Sequence, residues 1–130
     1  MAKLADVRLG RCYLEIAKMK FIPVIIESPY AGDIERNKRY LARCKKWCLE
    51  NGYSPYASHQ MLTDVLDDNK PNEREKGIEA GFAFAESGIM RIFFVDFGWS
   101  NGMKQALDHS QSNNLPFTTK NILTKLSSLK

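Results

Sequence analysis

The chain is poor in the side chains that hold metal ions. It has two histidines and three cysteines, and neither His59 nor His109 has a Cys or carboxylate partner at a ligand spacing. No metal is therefore expected. No cofactor is expected either, because GxGxxG, P-loop and GxSxG patterns are all absent. Three cysteines cannot all pair within one chain, so a disulfide framework is excluded. Cys44 and Cys48, one helical turn apart on an apolar face, read as buried reduced thiols. No apolar run approaches the ~20 residues needed to cross a bilayer, so no membrane partner is expected. The opening residues Met1-Ala2-Lys3-Leu4-Ala5-Asp6 lack the apolar run and cleavage site of a secretory signal, and the expectation is a cytoplasmic protein. Internal repeats and low-complexity segments are absent too.

What is present suits one globular domain. A length of 130 residues accommodates a single hydrophobic core. The reading is one domain over residues 1–130, with a core over about 22–119 and an amphipathic tail over 120–130. Apolar residues make up 44% and charged residues 26%, which excludes wholesale disorder. A net charge of +4 and a pI near 9.0 are mildly basic and favour an anionic partner.

Phe21-Ile22-Pro23-Val24-Ile25-Ile26-Glu27 is continuously apolar up to its last residue, as in a strand covered on both faces. Ser28-Pro29-Tyr30-Ala31-Gly32-Asp33 then forms a tight loop. Asp33 caps a helix with Ile34, Leu41, Cys44 and Cys48 at helical spacing, which stops at Asn51-Gly52. Tyr53 to Ala57 reads as a short second strand. A second helix runs from about Asn72 to Glu86, with Ile78, Phe82 and Ala85 on one side. Gly77 and Gly81, four residues apart, point to close backbone packing. Arg91 to Asp96 is another buried strand, and Ser100 caps a third helix with Met103, Leu107 and Ser110 on one face. Pro116 to Thr119 forms a last short strand. Leu9 to Lys20 is left unassigned. Strands alternating with helices predict an α/β three-layer sandwich around a parallel, Rossmann-like sheet of four or five strands.

In such sheets ligands bind outside the carboxyl ends of the strands. Three polar loops meet that edge: Ser28 to Asp33, Ser58-His59-Gln60, and Asp96 to Met103. The first and third lead into helix N-termini, whose N–H groups attract phosphate or carboxylate. Tyr30 and Trp99 can stack on a base, and Asp96 can accept from sugar hydroxyls. Singly, each has an ordinary job: Ser28, Asp33 and Ser100 as caps, Gly32, Gly98 and Gly102 as turn residues, Asp67 and Asp68 as a solvated turn. Three such loops on one edge argue for a pocket.

At these loops the sequence resembles the nucleoside 2-deoxyribosyltransferase-like group, most closely small uncharacterised members from phage and bacterial genomes. The resemblance spans residues 22–117. It rests on Ser28-Pro29-Tyr30-Ala31-Gly32-Asp33 with Glu35-Arg36-Asn37, on Tyr56-Ala57-Ser58-His59, and on Leu66-Asp67-Asp68 with Glu73-Arg74. Gly77-Ile78-Glu79-Ala80-Gly81, Asp96 and Ser100-Asn101-Gly102-Met103 complete it. It implies a flavodoxin-like fold, a homo-oligomer and a nucleotide-type ligand. It further implies a site drawn from Ser28, Pro29, Tyr30, Gly32, Asp33, Arg36, Asn37, His59, Asp68, Trp99, Ser100, Asn101, Gly102 and Met103. Enzymes of the group cleave or exchange an N-glycosidic bond with a carboxylate nucleophile. Its position, four residues beyond Gly102, is Ala106 here. Glu79, where the enzymes keep a supporting acid, and then Asp96 are the candidate catalytic residues.

Two functions stay open on this reading. One is an N-glycosidase or transferase acting on a nucleotide derivative, with His59 assisting the leaving base. The other is a non-catalytic binder that sequesters a nucleotide defence signal, as a phage anti-defence protein would, then acting in the host cytoplasm. A nucleic-acid partner fits less well. The basic face over residues 36–46 has only Tyr40 and Trp47 as interleaved aromatics.

Overall fold

A computed structural model of the chain describes residues 19–57, 62 and 64–123. Continuous apolarity makes β1 (Ile22–Glu27) a central strand, with Val24, Ile25 and Ile26 fully buried. Asp33 starts α1 (Ile34–Glu50) by accepting from the Arg36 N–H at 3.1 Å. At the other end Gly52, at φ +83°, turns the chain into β2 (Tyr53–Ala57). Pro71 opens α2 (Pro71–Glu86), where its missing N–H would have had no helical acceptor. β3 (Met90–Phe94), α3 (Asn101–Ser112) and β4 (Phe117–Lys120) follow.

The four strands are all parallel, in the order β2-β1-β3-β4. This is the predicted α/β sandwich. Right-handed crossovers dictate where its helices lie. The chain steps from β1 out to β2, then returns across β1 to β3 and continues to β4. The first step runs opposite to the next two, so α1 covers one face and α2 and α3 the other. Packing agrees. Val24, Ile26, Ile92 and Phe94 meet Tyr40, Leu41, Cys44 and Cys48 of α1, while Phe93 meets Met103 and Ala106 of α3. Each large apolar side chain buried this way contributes about 1.5–3 kcal/mol.

The edges of the elements differ from the sequence reading in small ways. Ile34 is 42% exposed, because the buried stripe of α1 begins one turn later and runs through Asn37, Tyr40, Leu41, Cys44 and Cys48. Both helical cysteines are reduced and buried, with burial pushing the Cys48 thiol up to about 11. β3 stops at Phe94, since Val95 and Asp96 already belong to the exit loop. β2 is an edge strand with Pro55 at its centre, opposite Val24, where a missing N–H is tolerated. From the tail, Ile122 and Leu123 pack on the α1-side core. Leu126, Leu129, His59 and residues 1–18 lie outside the described residues.

Candidate functional site

β1 and β3 are neighbours whose outgoing connections diverge, β1 towards β2 and β3 towards β4. Such a switch point opens a crevice at the carboxyl ends of the strands. A cleft of about 540 Å³ lies there on the α2–α3 side, within the roughly 300–1,000 Å³ of small-molecule sites. Glu27, Ser28 and Tyr30 enter it from the end of β1, and Leu66 and Asp68 from the loop before α2. Arg74, Gly77, Gly81 and Phe82 form the α2 wall, and Ser100, Gly102, Met103 and Ala106 the α3 wall.

Strand alternation decides which side chains reach the cleft. On β1, Val24 and Ile26 face α1, so Glu27 faces the other layer beside Phe93, its register partner. Glu27 is 9% exposed. Burial pushes its carboxyl up to about 7, against the opposing pull of Arg91. That guanidinium is itself 1% exposed, with Nε 3.3 Å from Glu27 Oε2. Its Nη1, with two protons to share, lies within reach of three acceptors, the Ala106 carbonyl at 3.0 Å, Ser110 Oγ at 2.7 Å and His109 Nδ1 at 3.0 Å. Arginine has no acceptor, so His109 must accept through Nδ1 and donate from Nε2, here to Glu86 Oε2 at 2.8 Å. The imidazole stacks on Phe82, ring centres 3.9 Å apart. The floor of the cleft is thus wired from Glu27 through Arg91 and His109 to Glu86 on the surface.

Two features suit a polar ligand. Ser28 Oγ is buried beside Glu27 and has no hydrogen-bond partner among the described residues. At the α3 N-terminus, Ser100 Oγ accepts from the Met103 N–H at 3.2 Å. The N–H groups of Asn101 and Gly102 point out of the helix start with no intrahelical acceptor. No acidic residue occupies that first turn, and Arg74 adds a positive charge across the cleft.

Of the residues singled out from sequence, the structure brings Ser28, Tyr30, Asp68, Ser100, Asn101, Gly102 and Met103 together in the cleft. Others hold the architecture. Pro29 is buried in the loop, Gly32 supplies a turn at φ +93°, and Asp33 caps α1. Asn37 fixes the same loop by donating to the Tyr30 and Ala31 carbonyls, each at 3.0 Å. Arg36 lies over the Phe97 ring at 4.1 Å, and Trp99 packs on Phe93 at 5.1 Å.

Neither candidate acid lines the cleft. Glu79 sits in a groove between α2 and α3 with Asp108 and His109. Asp96, an even-numbered residue in phase with Ile92 and Phe94, turns to the α1 face. There it binds Tyr40 and the Ile122 and Leu123 N–H groups. Ala106 does lie in the cleft wall. The sequence reading gives no role in the site to Glu27, named only as a strand end, to Arg74, quoted only with the resemblance, or to Arg91. One signal was available, since an arginine inside an apolar strand needs a buried acceptor and Glu27 ends the only other strongly apolar strand. On the basic face of α1, Tyr40 is buried and the half-buried Trp47 packs against Tyr53 and Phe94.

Among the described residues no cluster of three or more His, Cys, Asp or Glu is placed to hold a metal ion. No described helix is long and apolar enough to cross a membrane. Residues 22–120 match the family described as Domain of unknown function (DUF7768), and the chain belongs to that family. Among curated proteins and solved structures, no match to the chain is found.

Proposed function

We propose that this family member binds a nucleotide-derived small molecule in the cleft at the β1/β3 switch point and cleaves or exchanges its N-glycosidic bond. The observation carrying the binding reading is the cleft itself, where the α3 N-terminus, Arg74 and the β1 exit loop converge on one space. The anionic end of the ligand sits against Asn101 and Gly102, held by backbone N–H groups and the helix dipole. Ser28 then lies near the floor to meet a hydroxyl, and Tyr30 offers a ring at the mouth. The glycosidic step comes from the resemblance to nucleoside 2-deoxyribosyltransferase-like proteins.

A second reading, sequestration of an intact nucleotide signal, is favoured by Ala106 standing in the cleft while Glu79 and Asp96 stand outside it. Incubation with a panel of nucleotides and cyclic dinucleotides, scored by mass spectrometry for free base against intact bound ligand, separates the two. Free base supports the enzyme, and intact bound ligand supports sequestration. Absence of binding throughout defeats both. Homo-oligomer formation belongs to the same reading and is supported by exposed Leu49, Val65 and Phe84. A monomeric mass by light scattering at micromolar concentration would refute it.

A further inference from the structure

We propose that Glu27 is the catalytic residue of this cleft, the general base that takes a proton from a water attacking the anomeric carbon of the bound nucleotide. This inference rests on the nucleotide reading of the cleft and deepens it.

Position argues first. Among the described residues two carboxylates, Glu27 and Asp68, line the cleft. Asp68 is exposed and also lines an outer depression with Asp64 and Asp67. Glu27 is 9% exposed at the end of β1, and partial burial strengthens the action of its charge on a bound ligand.

Its setting argues second. The Arg91 Nε contact engages Oε2 at 3.3 Å. Arg91 is in turn held by the Ala106 carbonyl, Ser110 and His109, so it keeps a positive charge beside the carboxylate while its Nε makes no hydrogen bond among the described residues. Ser28 Oγ, buried and unpartnered beside it, supplies a hydrogen-bonding group for the water or a ligand hydroxyl. Arg91 from β3 is the charged group in contact with Glu27, with His109 and Glu86 behind it, while Arg74 from α2 and Asp68 from the preceding loop line the same cleft. A carboxyl whose proton affinity is raised towards neutrality both accepts and returns a proton readily.

The step balances as a hydrolysis. The water oxygen bonds to the anomeric carbon as the carbon–nitrogen bond breaks, and the nitrogen leaves with the electron pair. One water proton passes to Glu27, the departing base takes a proton from solvent, and Glu27 then returns its own. The products are free base and the sugar phosphate.

The test uses the full chain with the ribo- and deoxyribonucleoside 5′-monophosphates. Base release is followed by mass spectrometry and binding by calorimetry. Wild type should release base at a rate that rises with pH and levels above about 7. Glu27→Gln should bind within about threefold of wild type and turn over about 10²–10⁴-fold more slowly. A Gln variant as fast as wild type would overturn the proposal. So would a wild type that binds but never releases base, an outcome that leaves the binding reading standing. If wild type binds none of the nucleotides, both fall. Should Glu27→Gln fail to fold, Glu27→Asp decides. Rate loss of about tenfold or more with affinity kept supports the proposal, and an unchanged rate refutes it.

Discussion

Tyr40 and Asp96 hold each other twice. The phenol donates to Asp96 Oδ2 and accepts from the Asp96 backbone N–H at 3.1 Å. Burial drives the phenol's proton affinity well above its ordinary value, so it remains a donor. The same carboxylate accepts from the Ile122 and Leu123 N–H groups at 3.0 Å each, joining α1, the exit of β3 and the segment after β4. All of this lies on the face away from the cleft. Tyr40→Phe should therefore lower stability by about 1–3 kcal/mol in urea unfolding, since it leaves buried polar groups unpaired. Nucleotide affinity should stay unchanged in calorimetry.

Gly102→Asp separates fold from binding. A Cβ at Gly102 meets nothing within 4 Å, and α3 has no acidic residue in its first turn. The new carboxylate should raise stability by about 0.3–1 kcal/mol through the helix dipole. It should weaken nucleotide binding by about tenfold or more through repulsion of the ligand's anionic end. Opposite signs in thermal unfolding and calorimetry are the expected pair of results.

Arg74→Ala tests for phosphate. Arg74 lines the cleft from the first turns of α2. Its removal should weaken a nucleoside monophosphate by about 1.5–3 kcal/mol, the value of a hydrogen bond to a charged group. The matching nucleoside should be little affected. The comparison is made by titrating both ligands into each protein.

Glu27 also makes stability depend on pH. Its carboxyl moves from the ordinary 4.5 to about 7 on folding. Between those values the folded chain keeps a proton that the unfolded chain has released, so stability falls as pH rises through that window. The penalty is absent below it and complete above it. Relative to Glu27→Gln, wild type should lose up to about 3 kcal/mol across the window. Urea unfolding of both proteins at several pH values reads this directly.

The sheet was legible because its two central strands are nearly continuous apolar runs, interrupted only by Glu27 at the end of β1 and Arg91 in β3, and the caps at Asp33 and Ser100 are short-range signals read without tertiary knowledge. The acids were harder. Glu27 and Asp96 both follow apolar strands, yet strand phase sends one to the cleft and the other to α1. That phase is set by packing across the sheet, which one strand's sequence does not encode. Glu79 shares α2 with Gly77 and Gly81, but those two line the cleft, Glu79 lines the groove and Ile78 borders both. The spacing of Gly77 and Gly81 was visible, and its use was not. The wall they form lets Leu66 come within 3.3 Å of where a Gly77 Cβ would stand.

Pro55 has a consequence for how copies of this chain can meet. β2 is five residues long and has the proline at its centre, so its outer margin is a poor template for another strand. Assembly by extending the sheet across that margin is disfavoured. Any association between copies is steered towards helix faces, where side-chain packing rather than a shared backbone ladder sets geometry and strength.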